Sequence, residues 1–149
     1  MSDKRQLIPI GGLIATIALA IYMVSTLDAQ APALTGNFSN AAIAEVSDNT
    51  GQVILRGQFA VVEEDDDDVE RKATLAPTGS DTDAAGEAEV ETSKDGSSQQ
   101  EIEFSIRNVE PGMTYTFAID GQDIGAATAD QRGRAELDVE SMARTPGQP

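Results

Sequence analysis

The sequence predicts an all-β fold, a small antiparallel sandwich or barrel of about eight short strands preceded by one N-terminal transmembrane helix. Three observations support this prediction. Short segments alternate apolar and polar residues, turn-forming residues separate those segments, and one long uncharged apolar run stands near the N-terminus. Alternation with a period of two is typical of a strand that buries one face.

The N-terminal apolar run predicts the membrane helix. Residues 1–6 carry Lys4 and Arg5, and residues 7–27 contain no charged residue. A helix needs about 20 apolar residues to span a bilayer, whereas the apolar region of a cleaved signal usually has about 7–15. We therefore expect an uncleaved, single-pass signal anchor. Because basic residues remain in the cytoplasm, residues 1–6 are predicted to be cytoplasmic and the C-terminal domain extracytoplasmic.

Cleavage near Ala31 is the alternative, because Ala29-Gln30-Ala31 fits the small-x-small pattern of a signal-peptidase site. Cleavage there would give a secreted protein. With either outcome, residues 28–35 are predicted to form a linker, residues 36–140 a β domain and residues 141–149 a disordered tail.

The first half of the predicted β domain contains a hairpin and two further strands. Alternating segments at Ala42–Val46 and Val53–Val61 flank the turn-forming Asp48-Asn49-Thr50-Gly51. This arrangement predicts a hairpin, because Asp, Asn and Gly favour the backbone conformations of tight turns. Strands are also predicted at Val69–Leu75 and Gly86–Glu91.

The second half shows the longest agreement between alternation and turn chemistry. Apolar and polar residues alternate from Ile102 to Ile106, stop at Pro111-Gly112 and alternate again up to Asp120-Gly121. Asp-Gly is among the dipeptides best suited to a two-residue hairpin. The hairpin is predicted to pair Ile119 with Gln122, Phe117 with Ile124, and Tyr115 with Ala126.

A second turn, Asp130-Gln131-Arg132-Gly133, extends the same predicted register. A slip of one residue at either turn would turn the apolar side chains into water, so the agreement favours four consecutive antiparallel strands. The second hairpin is predicted to pair Thr128 with Ala135, Ala126 with Leu137, and Ile124 with Val139.

The Pro-Gly break allows a different interpretation. The segment Val109–Phe117 contains Pro111-Gly112 followed by Tyr115, and it resembles the corner of fibronectin type III domains. The resemblance implies a turn that crosses between sheets, with the Tyr hydroxyl folded back onto the backbone. It is confined to this segment. Met113 stands where a Thr is usual, and the chain contains no Trp.

Composition narrows the possible functions. The chain has 26 acidic and 10 basic residues, a formal net charge of −16 and a pI near 4.1. Such a field repels nucleic acid, so no nucleic-acid partner is expected. The chain contains no Cys and no His, which removes thiol nucleophiles, the usual zinc sites and the commonest general base. We therefore predict that the protein is not an enzyme.

The acidic run is the candidate metal site. Glu63 to Asp68 are six consecutive carboxylates that cannot all be buried, so they are predicted to form a loop. Clustered carboxylates can hold calcium, which takes oxygen ligands. The alternative is a solvated hairpin loop that also discourages pairing between sheet edges. The candidate calcium ligands are Asp65, Asp66, Asp67 and Asp68.

These observations predict a membrane-anchored, exported β-sandwich module with a non-enzymatic structural or protein-interaction role. It would attach to the membrane through residues 7–27 and present strand edges or loop tips to an unknown protein partner. The alternative function is an exported, calcium-binding β module that uses its acidic loops.

Overall fold

The computed structural model describes residues 34, 36–79, 82–94 and 99–141, and these form nine antiparallel strands in one nearly closed, barrel-like sheet. The predicted all-β class is confirmed, with nine strands instead of about eight. The strands are β1 (Ile43–Ser47), β2 (Val53–Gln58), β3 (Ala60–Glu64), β4 (Asp68–Pro77), β5 (Ala85–Ser93), β6 (Gln100–Arg107), β7 (Thr114–Ile119), β8 (Gln122–Thr128) and β9 (Arg134–Ser141).

The predicted membrane segment, residues 7–27, lies outside the described residues. Of the predicted tail, residues 141–149, only Ser141 is described, and it belongs to β9 and not to a tail. Within the part of the chain that the structure describes, no helix is both long and apolar enough to cross a membrane. The described strands extend from Ile43 to Ser141.

The strands follow the order β8-β7-β1-β2-β4-β5-β6-β9 around the sheet, and β3 pairs separately with β4. The two ends of this path meet through side chains. A Cβ built on Gly125 of β8 would lie 3.1 Å from both terminal carbons of Leu137 in β9. The Leu137 side chain therefore fills the space beside Gly125 and closes the sheet without a ladder of backbone hydrogen bonds.

Apolar side chains from the whole sheet fill the interior. The residues predicted to form the buried face of β6 are buried. The rings of Phe104 in β6 and Phe117 in β7 have centroids 5.1 Å apart and planes tilted by 50°. This contact joins two strands that are not hydrogen-bonded to each other. The largest fully buried side chains belong to Phe104, Phe117, Leu55, Leu75, Ile102, Ile106, Ile119, Val46, Val90 and Val139.

The predicted hairpin around Asp48 is confirmed. β1 pairs with β2, and Val46 lies opposite Leu55. The Asp48 carboxylate accepts hydrogen bonds from the backbone N–H groups of Thr50 at 2.8 Å and Gln52 at 3.0 Å. An Asp at this position therefore closes the turn, as its residue type predicts.

The predicted strand Val53–Val61 is divided at Phe59. β2 pairs with β1 and with the end of β4, whereas β3 continues along the first half of β4. The Phe59 N–H donates to the Ala42 carbonyl at 2.9 Å. This hydrogen bond fixes the residue between β2 and β3 next to the start of β1. All five residues of β3 are exposed.

The predicted loop Glu63–Asp68 is shorter in the structure. Glu63 and Glu64 end β3, Asp68 begins β4, and the connection consists of Asp65–Asp67. The prediction that all six residues form a loop is wrong, because β3 keeps its carboxylates exposed and need not bury them. The predicted strands at Val69–Leu75 and Gly86–Glu91 are confirmed within β4 and β5.

The hairpin at Asp120-Gly121 is confirmed, but its predicted register holds only next to the turn. Ile119 pairs with Gln122 as predicted. A bulge then makes Ile124 an extra residue, so Phe117 lies opposite Gly125 and Tyr115 opposite Ala127. The bulge lets consecutive residues of β8 face the interior, an arrangement that strict alternation does not predict.

The four predicted strands are present as β6 to β9, but the predicted hairpin between β8 and β9 is wrong. β9 pairs with β6, which places Ile102 opposite Val139 and Phe104 opposite Leu137. The turn itself is present, since Asp130 accepts the N–H of Gly133 at 3.0 Å. The apolar alternation of β6 matches that of β9, so this pairing keeps Ala135, Leu137 and Val139 on the inner face.

The corner after β6 crosses from one part of the sheet to another. β6 pairs with β5 and β9, whereas β7 pairs with β1 and β8. The Tyr115 hydroxyl accepts a hydrogen bond from the Glu110 N–H at 3.0 Å. The folded-back hydroxyl implied by the fibronectin-like segment is therefore confirmed. The connection crosses to another part of the same sheet instead of between two sheets, and the hairpin interpretation of Pro111-Gly112 is wrong.

Gly86→Ala is expected to lower the free energy of unfolding by about 1–3 kcal/mol, because β5 and β6 leave no room for a methyl group. The new Cβ would lie 2.6 Å from the Ser105 carbonyl oxygen and 2.8 Å from Ile106 Cγ2. Thermal unfolding followed by circular dichroism measures the loss. The control is Gly79→Ala, whose Cβ would meet only Gln52 Nε2 at 3.7 Å. Equal losses in both variants would show that glycine flexibility, not close packing, matters at Gly86.

Candidate functional site

β3 is an edge strand in the described part of the structure. It pairs with β4 along one side, and no other described strand pairs with it. An edge strand leaves backbone N–H and C=O groups available to a further strand. A bulge between Val61 and Glu63 makes Val62 an extra residue, which disturbs the ladder locally. The edge is therefore open, short and irregular.

Two valines on β3 are exposed to solvent. Val61 is 46% exposed and Val62 is 54% exposed, and among the described residues these are the exposed large hydrophobic side chains. They stand on the surface of a protein with a net charge of −16. A partner that covered the edge of β3 would remove their apolar surface from water, which favours association.

A row of glutamates crosses the outer face of the sheet and ends at β3. The cross-strand register places one glutamate from each of five strands side by side. Opposite residues on neighbouring strands have Cβ atoms about 4.5–5.5 Å apart, so like charges there repel each other. We call this set the glutamate row. Its members are Glu63 in β3, Glu70 in β4, Glu91 in β5, Glu101 in β6 and Glu140 in β9.

Two more rows of mostly polar residues continue this face and line an open groove of about 450 Å³. Farther along, Arg107 lies opposite Arg134, so the acidic character ends at the far side of the face. The second row contains Lys72, Glu89, Glu103 and Asp138, and the third contains Thr74, Glu87, Ser105 and Glu136.

Lys72 neutralises part of the face on the side of β4 and β5. Its Nζ lies 2.6 Å from Glu70 Oε1 and 3.3 Å from Glu89 Oε2. The hydrogen bonds that Lys72 donates to these two carboxylates raise its pKa to about 12. The same hydrogen bond lowers the pKa of Glu70. Lys72 is the one cation in the three rows, and it lies away from the carboxylates of β6 and β9.

The carboxylates of β6 and β9 repel one another. Burial raises the pKa of Glu101, and repulsion from Glu140 and Asp138 raises it further. One oxygen from each of Glu101, Glu103 and Asp138 lies within 4.8 Å of the others. These three carboxylates therefore concentrate negative charge on the outer face of β6 and β9.

In the acidic hairpin tip between β3 and β4, the Asp65 carboxylate is hydrogen-bonded to backbone groups of the same turn. Asp65 Oδ1 accepts the backbone N–H groups of Asp67 at 2.9 Å and Asp68 at 2.8 Å, and these hydrogen bonds lower the pKa of Asp65. Lys94, directly after β5, donates to Glu64 Oε1 at 3.0 Å and to the Asp65 carbonyl at 2.5 Å. A protein cation thus already contacts the tip.

Aspartates at two other turns are also engaged by backbone groups. The Asp120 carboxylate accepts the N–H of Ile43 at 2.8 Å, which ties the β7–β8 turn to the start of β1. The Asp130 carboxylate accepts the N–H groups of Arg132 at 2.8 Å and Arg134 at 3.0 Å. The Asp130 carboxylate therefore stabilises its own turn, and the Asp120 carboxylate joins its turn to β1.

Comparisons with known proteins return no relative of this chain. No protein-family model, no curated protein and no solved structure matches it.

Calcium binding by Asp65, Asp66, Asp67 and Asp68 stays a prediction that thermal unfolding tests. If the tip is a solvated hairpin loop, the melting temperature with millimolar calcium equals that with chelator at fixed ionic strength. In that case the Asp65 carboxylate keeps its backbone hydrogen bonds and Lys94 keeps its contact with the Asp65 carbonyl. A rise of several degrees that disappears when Asp65–Asp68 become Asn would instead establish the tip as a calcium site, since a ligand of the folded state stabilises it.

Glu101→Gln is expected to raise the melting temperature near neutral pH, because it removes a repelled carboxylate. The raised pKa means that the folded protein binds this proton more tightly than the unfolded chain. Stability therefore falls as pH rises from the ordinary glutamate pKa of 4.5 through the raised value. The increase in melting temperature caused by Glu101→Gln should therefore vanish below about pH 4.5. Thermal unfolding of the protein and the variant across the pH range measures this increase, and Glu136→Gln, which removes the same charge, is the control.

Proposed function

We propose that this chain is a membrane-anchored, exported β module with a non-enzymatic structural or protein-interaction role. Residues 7–27 anchor it, and the β domain on the far side of the membrane presents β3 to a protein partner. The open edge of β3, with Val61 and Val62 exposed beside it, is the observation that carries the proposal. Cleavage near Ala31 would make the same module a secreted protein.

The edge suits recognition of another polypeptide. A chain that adds to an exposed edge forms backbone hydrogen bonds that do not depend on sequence, and its side chains then contact those of the edge strand. On β3 those side chains are Val61, Val62 and Glu63. The remainder of the sheet holds the edge in place, since β4 pairs with β5 along eight residues from Asp68 to Leu75.

The proposed anchor and orientation are testable by cysteine labelling, because the chain contains no native Cys. In intact cells that express the full chain, a membrane-impermeant maleimide should label Ala126→Cys but label Ser2→Cys only after permeabilisation. The expected result follows from basic residues staying in the cytoplasm. Labelling of both sites in intact cells contradicts the orientation. Loss of residue 2 from a released, shortened chain supports the secreted alternative.

The proposed interaction role is testable with a photo-crosslinking amino acid at Val62 of the full chain, in membranes of its source organism. We expect a discrete adduct between this position and one protein, because Val62 lies at the open edge. The matched control carries the same amino acid at Ala126, an exposed position on β8. Adducts that are absent, or equally abundant at both positions, would refute a role for the β3 edge.

A further inference from the structure

We infer that β3 binds an extended segment of a partner protein in which lysine or arginine alternates with apolar residues. The inference rests on the proposed interaction function and specifies the chemistry of the partner. The segment would pair with the open edge of β3 as an additional strand, next to Val61, Val62 and Glu63.

The glutamate row provides the charge complementarity. An added strand would lie about 4.8 Å beyond β3, and one of its outward residues would stand beside Glu63. That residue would extend the row Glu63, Glu70, Glu91, Glu101 and Glu140 by one position. A basic side chain there forms a favourable cross-strand pair, whereas an acidic one adds a further like charge.

Glu63 has no counter-charge within the described residues. Lys94 pairs with Glu64 at 3.0 Å, and Lys72 pairs with Glu70 at 2.6 Å. The described ion pairs therefore neutralise glutamates beside Glu63 and leave Glu63 itself for an incoming cation.

The geometry of a strand sets the alternation. Neighbours of a residue that stands beside Glu63 must point to the opposite face of the sheet. On that face Val61 lies opposite Arg71, and Val61 is about half exposed. An apolar side chain in the added strand would cover Val61 there. The added strand should therefore carry basic residues on the face that holds Glu63 and apolar residues on the face that holds Val61.

A second copy of this chain fits the edge less well. Each copy carries a net charge of −16, and a second β3 would contribute Glu63 and Glu64 where a base is required. The bulge at Val62 would also interrupt the ladder in both copies. The added segment therefore belongs to a different, basic protein.

Binding of a synthetic peptide to the full chain in non-ionic detergent tests the inference. The probe is acetyl-Lys-Val-Lys-Val-Lys-Val-Lys-amide with a fluorophore, followed by anisotropy near physiological ionic strength. We expect saturable binding. A twin with N-methylvaline keeps every charge and side chain but loses backbone donors, so its affinity should fall by at least about tenfold, a difference of about 1.4 kcal/mol.

Two variants of the protein separate the edge from general electrostatics. Glu63→Lys should weaken binding of the probe at least about tenfold. Glu136→Lys changes the net charge equally from the third row on β9 and should change the affinity by less than about twofold. Both positions are exposed, so the substitutions leave the core intact. Thermal unfolding of each variant verifies this.

Several outcomes overturn the inference. They are failure of the probe to bind, equal weakening by the two variants, undiminished binding of the N-methylated twin, and a dimer of the full chain that cross-links through Val62. If a discrete adduct still forms at Val62 with another protein while the probe fails, the proposed interaction function stands and only the partner chemistry is wrong. If neither is observed, both proposals are wrong.

Discussion

The structure depends on the alternation of side chains in the paired strands β5, β6 and β9. Each strand must turn one set of residues inward, and Phe104, Ile102 and Ile106 supply the largest fully buried groups of that set. The residues between them must then face water, and most of these are acidic. Because the three strands pair residue by residue, the same register that assembles the core also aligns the glutamates into rows. The acidic face is therefore a consequence of how the core is built.

Local features could be predicted from the sequence, whereas the choice of strand partner could not. The Asp48 hairpin and the strand around Phe104 depend on neighbouring residues and were predicted correctly. The partner of β9 depends on distant residues, because β6 and β8 both offer apolar alternation to Leu137. The corner resolves this ambiguity. The Tyr115 hydroxyl holds the crossing at Glu110, so β7 pairs with β1 and leaves an edge of β6 for β9.

Only part of the candidate site could be predicted from the sequence, because the rest depends on which distant strands pair. The spacing of Glu87, Glu89 and Glu91 is a local signal for an acidic strand face, but the glutamate row requires knowledge of which strands are neighbours. The open edge of β3 arises where Phe59 bonds to Ala42 and divides a strand that alternation alone predicts as continuous. The composition of the acidic run predicts a metal site, yet its tip contacts Lys94, which follows β5 and is far from the tip in sequence.

The negative charges of the glutamate row affect both the stability of the folded domain and the choice of a partner at β3. The row is mostly exposed, so water and salt screen its charges and the cost to the folded state stays small relative to the buried core. At the edge, the same charges act on whatever pairs with β3. Val61 favours an apolar side chain beside it, and backbone hydrogen bonds are available to any extended chain. Neither contact opposes an acidic partner. If β3 accepts a strand, selectivity must therefore come from the charge of the residue beside Glu63, which suits a basic segment and opposes pairing between copies of the acidic chain.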